Sequence, residues 1–143
     1  MAVVELRPTS EPVVLIDKSK LLSAIALLGA IDNLLTDEWG DTALVDRVSA
    51  GCTDLTCAFF PPEGRGIAET EEAYNAAPDR VEVMALEHEY TAELLFLRSA
   101  GVRTDTACHL EMARRIREHG NVNNDLSWLT PWEDREFLDA LSA

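Results

Sequence analysis

The Asp and Glu side chains are the groups in this sequence that are best placed to bind a cation or a basic surface. Eight of them lie between residues 69 and 93 against the single cation Arg80, so this window has a net charge of −7, half of the chain's −14. On a helix that turns about 100° per residue, Glu82, Glu89 and Glu93 share one face. Carboxylates gathered in this way can attract a basic protein surface or coordinate a divalent cation.

The first of these chemistries predicts a non-enzymatic acidic interaction module that binds a basic surface on a partner protein. A specific form is an inhibitor that mimics phosphate charge and occupies a nucleic-acid-binding surface, as small phage or mobile-element proteins do. The alternative is a solvated face that only keeps the protein soluble, as in proteins adapted to high salt. The predicted partner-binding residues are Glu69, Glu72, Asp79, Glu82, Glu89, Glu93, Trp128 and Trp132.

The second chemistry is Mg²⁺-dependent hydrolysis. All-helical nucleotide pyrophosphohydrolases are similar in size and acidity, and they hold Mg²⁺ with paired Glu-x-x-Glu and Glu-x-x-Asp helices. Glu69 and Glu72 have the first spacing, but the second is missing from the long predicted helix, and Glu136 and Asp139, which have it, lie far away near the C-terminus. Because Mg²⁺ takes only one or two protein carboxylates, a suitably spaced pair of acidic residues easily arises by chance. The hydrolase stays an alternative, and we predict neither a catalytic residue nor a cofactor.

The histidines and cysteines add no clear catalytic or metal site. His88 and His109 fall on apolar helix faces, which is typical of packing histidines, and His119 closes a helix where a cation meets the helix dipole. Zinc ligands commonly come in pairs two to four residues apart. With four residues between them, Cys52 and Cys57 lie at the limit of this spacing. The third cysteine, Cys108, directly precedes His109, and adjacent residues on a helix point in different directions. Buried free thiols are therefore the prediction.

The overall composition excludes several classes of protein. The 143 residues include 12 Lys and Arg against 26 Asp and Glu, which argues against direct binding to nucleic acid or an anionic membrane, since both need clustered cations. Hydrophobic residues make up 47%, too many for a disordered acidic chain. An odd number of cysteines without a convincing export signal predicts a cytoplasmic protein without disulfides.

The three arginines Arg114, Arg115 and Arg117 form the only basic cluster of the sequence. Glu111 precedes Arg115 by four positions and Glu118 follows Arg114 by four, a spacing at which opposite charges pair on one helix. Much of this basic charge is therefore predicted to be neutralised within its own helix.

The longest apolar run, Leu21 to Ile31, belongs to a predicted helix whose apolar residues recur as far as Leu35. Its eleven residues are too few for a membrane span, which needs about 18 or more. A helix apolar on so much of its circumference packs in a core or against another chain. A homo-oligomer formed through Leu21 to Leu35 is therefore an alternative role. Ser19 is the predicted cap of this helix, and Gly40 is the predicted turn after it.

The remaining elements follow from the spacing of apolar residues and the positions of Pro and Gly. They are an extended N-terminal arm at 1–12 with a strand at 2–6, a β-branched run at 13–16, a helix at 42–50 closed by Gly51, a strand at 54–60, a Pro/Gly loop at 61–66, and helices at 67–77, 80–100 and 105–119. A last helix is predicted from the capping box of Thr130, Pro131 and Glu133 to Ser142.

Together these elements predict a mainly α fold, a compact single domain over residues 1–143 with five to six helices. Two or three short strands are compatible with the N-terminal half. The helix at 80–100 is predicted to be central and packed on two sides. The aromatic side chains Trp128, Trp132 and Phe137 are predicted to dock the terminal helix on the core, with a partner contact as the alternative.

Overall fold

Five α-helices and a small antiparallel sheet make up the part of the chain that the computed structural model describes. These residues are 3–6, 14–40, 42–59, 75–99, 104–122 and 128–142. The elements are β1 (Val3–Leu6), β2 (Val14–Asp17), α1 (Lys18–Trp39), α2 (Ala43–Phe59), α3 (Pro78–Ser99), α4 (Thr104–His119), a 3-10 turn (Pro131–Glu133) and α5 (Arg135–Leu141). The mainly α prediction is confirmed. The loop predicted at 61–66 and most of the helix predicted at 67–77 lie outside the described residues.

The N-terminal strands pair antiparallel, with Val3 opposite Asp17 and Leu6 opposite Val14, as the short β-branched runs predict. β2 leads directly into α1, and Asp17 caps that helix. Its carboxylate accepts hydrogen bonds from the backbone N–H of Ser19 at 2.9 Å and of Lys20 at 3.4 Å. The prediction that Ser19 is the cap is wrong, because the Ser19 hydroxyl donates to Asp17 instead.

Helix α1 ends at Gly40, whose φ of 58° lies in the left-handed region that favours glycine. Within it, Lys18–Glu38 has the length and mean hydropathy of a membrane span. The buried side chains of Leu21, Leu22 and Ile25 nevertheless belong to a core cluster inside the bundle. Part of the apolar face that could form an oligomer is thus occupied within the chain, whereas Leu27 stays 42% exposed.

The prediction of a helix that stops at Gly51, followed by a strand, is wrong. Helix α2 continues through Gly51 to Phe59. Its inward residues recur at helical spacing: Val45 is buried and Leu55 packs against the core cluster of α1. Gly51 is exposed, so it costs the helix only its weak intrinsic propensity, about 1 kcal/mol. Packing against α1 decides the conformation of this segment over its local strand preference.

Helix α3 is central, as predicted, because two core clusters lie on different sides of it. Val83 packs with buried residues of α1, whereas Val81 and Ala85 pack with Met112 and Ile116 of α4. Low-numbered residues of α3 meet high-numbered residues of α4, since Glu82 contacts Arg117 and His88 contacts His109. The two helices therefore run antiparallel.

The C-terminal segment differs from the predicted single helix. Pro131–Glu133 forms one 3-10 turn, and a separate helix, α5, begins at Arg135. The cap of α5 is Asp134, whose carboxylate accepts from the backbone N–H of Phe137 at 3.2 Å. The predicted cap Thr130 makes no side-chain bond to a backbone N–H of the turn. Its hydroxyl donates to the Glu133 carboxylate at 2.7 Å.

Candidate partner-binding groove between α3 and α4

The acidic stripe predicted on α3, which consists of Glu82, Glu89 and Glu93, is partly neutralised by a cation from the neighbouring helix. Arg117 of α4 reaches across to α3 and donates to Glu89 at 2.9 Å and to Glu82 at 3.0 Å. The hydrogen bonds that Arg117 donates to Glu89, and then those to Glu82, raise the pKa of its guanidinium. Two of the three carboxylates predicted on this face are therefore already bound within the chain.

The other predicted acidic residues have different surroundings. Asp79 forms an ion pair with Lys18 at 2.7 Å. Glu93 is exposed, and it forms no hydrogen bond or ion pair with any other residue that the structure describes. Glu69 and Glu72 lie outside the described residues. Among the located acids of the stripe, Glu93 is thus the carboxylate most open to a partner.

An open groove of about 560 Å³ lies beside Glu93, between α3 and α4. Helix α3 contributes Glu89, Glu93 and Phe96 to its lining, and helix α4 contributes Thr106, Ala107 and Leu110. Phe96 is 44% exposed and Leu110 is 52% exposed. An apolar depression that exposes large side chains and has a charged rim is typical of an interaction site. The groove is not evident from the sequence, because it depends on how α3 and α4 pack.

One polar group in the wall of the groove is unsatisfied. Thr106 is 95% buried, as its exposed fraction is 5%, and its hydroxyl has no hydrogen-bond partner within the described ranges. Leaving a buried hydroxyl unpaired costs about 1–3 kcal/mol. Because the hydroxyl oxygen is itself out of contact with solvent, this cost belongs to the interior packing of α4.

The two tryptophans predicted to bind a partner lie in different surroundings. Trp128 is buried in the cluster with Ile116, donates from its indole N–H to Asn121 at 3.0 Å, and stacks on His119. Its ring is therefore part of the core. Trp132 is 38% exposed and donates to Asp105 at 3.1 Å. Trp132 is thus the more accessible of the two rings.

His88 and His109 form a direct pair, which the sequence did not predict. Their Nδ1 atoms are 2.9 Å apart, so one ring donates and the other accepts. Trp132 lies edge-on to His109, with ring centroids 4.8 Å apart. Burial, together with the neighbouring ring of His109, lowers the pKa of His88 to about 4. Burial also lowers the pKa of His109. Both shifts favour the neutral form of the rings.

A polar cavity of about 390 Å³ adjoins His109. Its lining includes Asn33 and Asp37 from α1, Arg98 from α3, and Asp105 from α4. Arg98 is already in an ion pair with Glu38. The charged side chains in the lining of this cavity are therefore two carboxylates and one guanidinium, and that guanidinium is already paired with Glu38.

A half-buried carboxylate, that of Glu87, lies between α1 and α3. The Glu87 side chain rests on the helical Gly29, where a Cβ atom would be 2.7 Å from Glu87 Oε2. Asn33 donates to Glu87 Oε1 at 2.8 Å. Burial raises the pKa of Glu87, against the opposing effect of the Asn33 hydrogen bond. A Cβ atom at position 29 would therefore require the end of the Glu87 side chain to shift.

All three arginines of the basic cluster are ion-paired, and two of them, Arg114 and Arg115, pair within α4 as their spacing predicts. Arg115 donates to Glu111 at 2.8 Å and to Asp134 at 2.7 Å. Arg114 also binds both Glu111 and Glu118. Hydrogen bonds from Arg114, and secondarily from Arg115, lower the pKa of Glu111 to about 2. The cluster ties α4 to the start of α5 rather than forming a cationic surface.

The three cysteines are free thiols, but only Cys108 is buried. The prediction of buried thiols is therefore wrong for Cys57, which is exposed, and only partly right for Cys52. Within the described ranges, no three His, Cys, Asp or Glu side chains are placed so that they could hold a metal ion. The carboxylates on which the Mg²⁺ alternative depends, Glu69 and Glu72, lie outside those ranges.

Comparison of the chain with known protein families, with curated proteins and with solved structures finds no match.

Proposed function

We propose that the protein is a non-enzymatic interaction module that binds a basic surface of a partner protein through the groove between α3 and α4. The observation that carries this proposal is the apolar groove with Glu89 and Glu93 at its rim. Apolar contacts supply affinity in such a site, and charges at its rim steer and select the partner. A chain with a net charge of −14 attracts a basic partner at long range.

Phosphate mimicry, by an inhibitor that occupies a nucleic-acid-binding surface, is a narrower form of this proposal. It requires several carboxylates that are free to replace phosphates. Because Arg117 binds both Glu82 and Glu89, we base the proposal on the groove and Glu93 instead of on a row of free charges.

We further propose that the module acts in the cytoplasm. Cys52, Cys57 and Cys108 are free thiols, which fits a reducing compartment. The apolar helix α1, whose Leu21, Leu22 and Ile25 are buried among α2 and α3 residues, serves in this proposal as a core helix.

Capture of partners from the source cells by two charge-matched variants tests the proposal. Glu93→Lys changes the charge at the groove, and Glu136→Lys makes the same change at an exposed position on α5. We expect wild type and Glu136→Lys to retain a basic protein that Glu93→Lys loses by about tenfold, equivalent to about 1.4 kcal/mol. Equal recovery by the two variants, with helical content unchanged, would contradict the proposal.

A further inference from the structure

We infer that the segment bound in the groove is an amphipathic α-helix that places an apolar side chain between Phe96 and Leu110 and a Lys or Arg beside Glu93. This inference rests on the proposed function and specifies the chemistry of its partner. The partner is a protein helix with an apolar stripe flanked by basic residues.

The shape of the groove favours a helix. Two antiparallel helices leave a furrow in which a third helix packs at about 8–10 Å, as in helical bundles. The α3 side runs from Glu89 to Phe96, and at 1.5 Å per residue this length is about 10 Å, or two helical turns. Ala92 and Ala107 also line the groove, and their small side chains permit a close approach of the bound backbone.

Charge distinguishes the partner from two occupants that the chain itself could supply. A second copy would bring a further net charge of −14. Residues 60–74 of the same chain contain four Glu and one Arg. Either occupant would place like charges near Glu89 and Glu93, and such repulsion opposes binding. A basic helix instead complements the rim.

Selection from a display library of short random peptides on the immobilised full-length protein tests the inference. We expect the enriched peptides to have apolar residues at i, i+3 or i+4, and i+7, with Lys or Arg beside that stripe. Their affinities are then measured on two pairs of variants. Leu110→Ser is matched with Leu129→Ser, since both leucines are exposed, and Glu93→Gln is matched with Glu136→Gln.

The groove variants should each weaken binding by about tenfold, and the control variants by less than about twofold. Enrichment of acidic peptides or of peptides with strand periodicity would overturn the inference. So would winning peptides that bind Leu110→Ser as tightly as wild type, or a selection that yields no binder. If a basic partner from the cells still depends on Glu93, the proposed function survives the failure of the helix inference.

Discussion

Arg117 on α4 donates two hydrogen bonds of 2.9 Å to the carboxylate of Glu89 on α3. This two-point pairing of guanidinium and carboxylate is the strong form of an ion pair. It connects the two helices that form the groove and withdraws Glu89 from free surface charge. The acidity available to a partner is therefore smaller than the sequence suggests, and it is concentrated at Glu93.

Replacing Arg117 with Gln should free Glu82 and Glu89. Because all three side chains are more than a third exposed, we expect the free energy of unfolding to fall by only about 0.5–1 kcal/mol. Binding of a basic peptide should strengthen, most clearly at low salt, because two carboxylates become available. Urea denaturation and affinity at two salt concentrations measure these effects. Weaker binding would show that Arg117 itself contacts the ligand.

Because of the histidine pair, the free energy of unfolding should fall as the pH is lowered. The pKa of His88 is lowered to about 4 in the folded protein, whereas an unfolded histidine titrates near about 6.5. The neutral His88 ring therefore makes its full contribution to the free energy of unfolding above about pH 6.5, and this contribution is lost as the pH falls toward about 4. The slope from one such proton is at most about 1.4 kcal/mol per pH unit.

Denaturation across this pH range with His88→Gln tests the assignment. The variant should lose part of the slope between about pH 6.5 and 4. Leu129→Ser, which replaces an exposed side chain that does not titrate, should keep the wild-type slope. The same pH dependence in wild type and His88→Gln would refute this role for the pair.

The contact of Glu87 with Gly29 should appear as coupling between two substitutions. In wild type, Gly29→Ala forces the Glu87 carboxylate away from Asn33, which offsets the helix propensity of about 1 kcal/mol that alanine gains over glycine. With Glu87→Ala already present, Gly29→Ala should stabilise the protein by about that amount. Four denaturation curves give the coupling free energy.

Gly51 in α2 serves as the control for that experiment, because a Cβ atom there would have no neighbour within 4 Å. Gly51→Ala should stabilise α2 by up to about 1 kcal/mol whether or not Glu87 is present. A Gly29→Ala effect that is likewise independent of Glu87 would mean that the carboxylate does not rest on this glycine.

The cap of α5 can be located by two alanine substitutions. Asp134→Ala removes both the bond to the Phe137 N–H and the ion pair with Arg115, so it should lower the melting temperature measurably. Thr130→Ala should change it less, because Thr130 bonds only the Glu133 side chain. A larger effect of Thr130→Ala would support the capping box that the sequence predicts.

Local sequence patterns predicted much of the fold. α1, α3 and α4 carry apolar residues at helical spacing, and Gly40 and Gly120 both have a positive φ where a helix was predicted to end. The first half of α2 was predicted at 42–50, but its continuation to Phe59 was missed because Gly51 and the residues at 54–60 favour a helix stop and a strand locally. The helix forms because Val45 and Leu55 pack inward toward α1, which a local pattern does not reveal.

The candidate site was less accessible to prediction. Helical periodicity placed Glu93 on an exposed face, but the Arg117 to Glu89 pair joins residues 28 positions apart. The groove likewise depends on the crossing of α3 and α4. Contacts of this kind require the relative placement of two helices, whereas sequence spacing specifies only one helix at a time.

The claim that the groove binds a basic partner can be tested directly by site-specific photocrosslinking. A photoreactive residue replaces Leu110 in the groove or, as a control, Leu141 on α5, both of which are exposed. The protein is irradiated in lysate of the source cells, and the adducts are identified by mass spectrometry. We predict an adduct at position 110, absent at 141, in which the crosslinked peptide belongs to a basic helical segment. Equal adducts at both positions, or an acidic segment bound at 110, would contradict the claim.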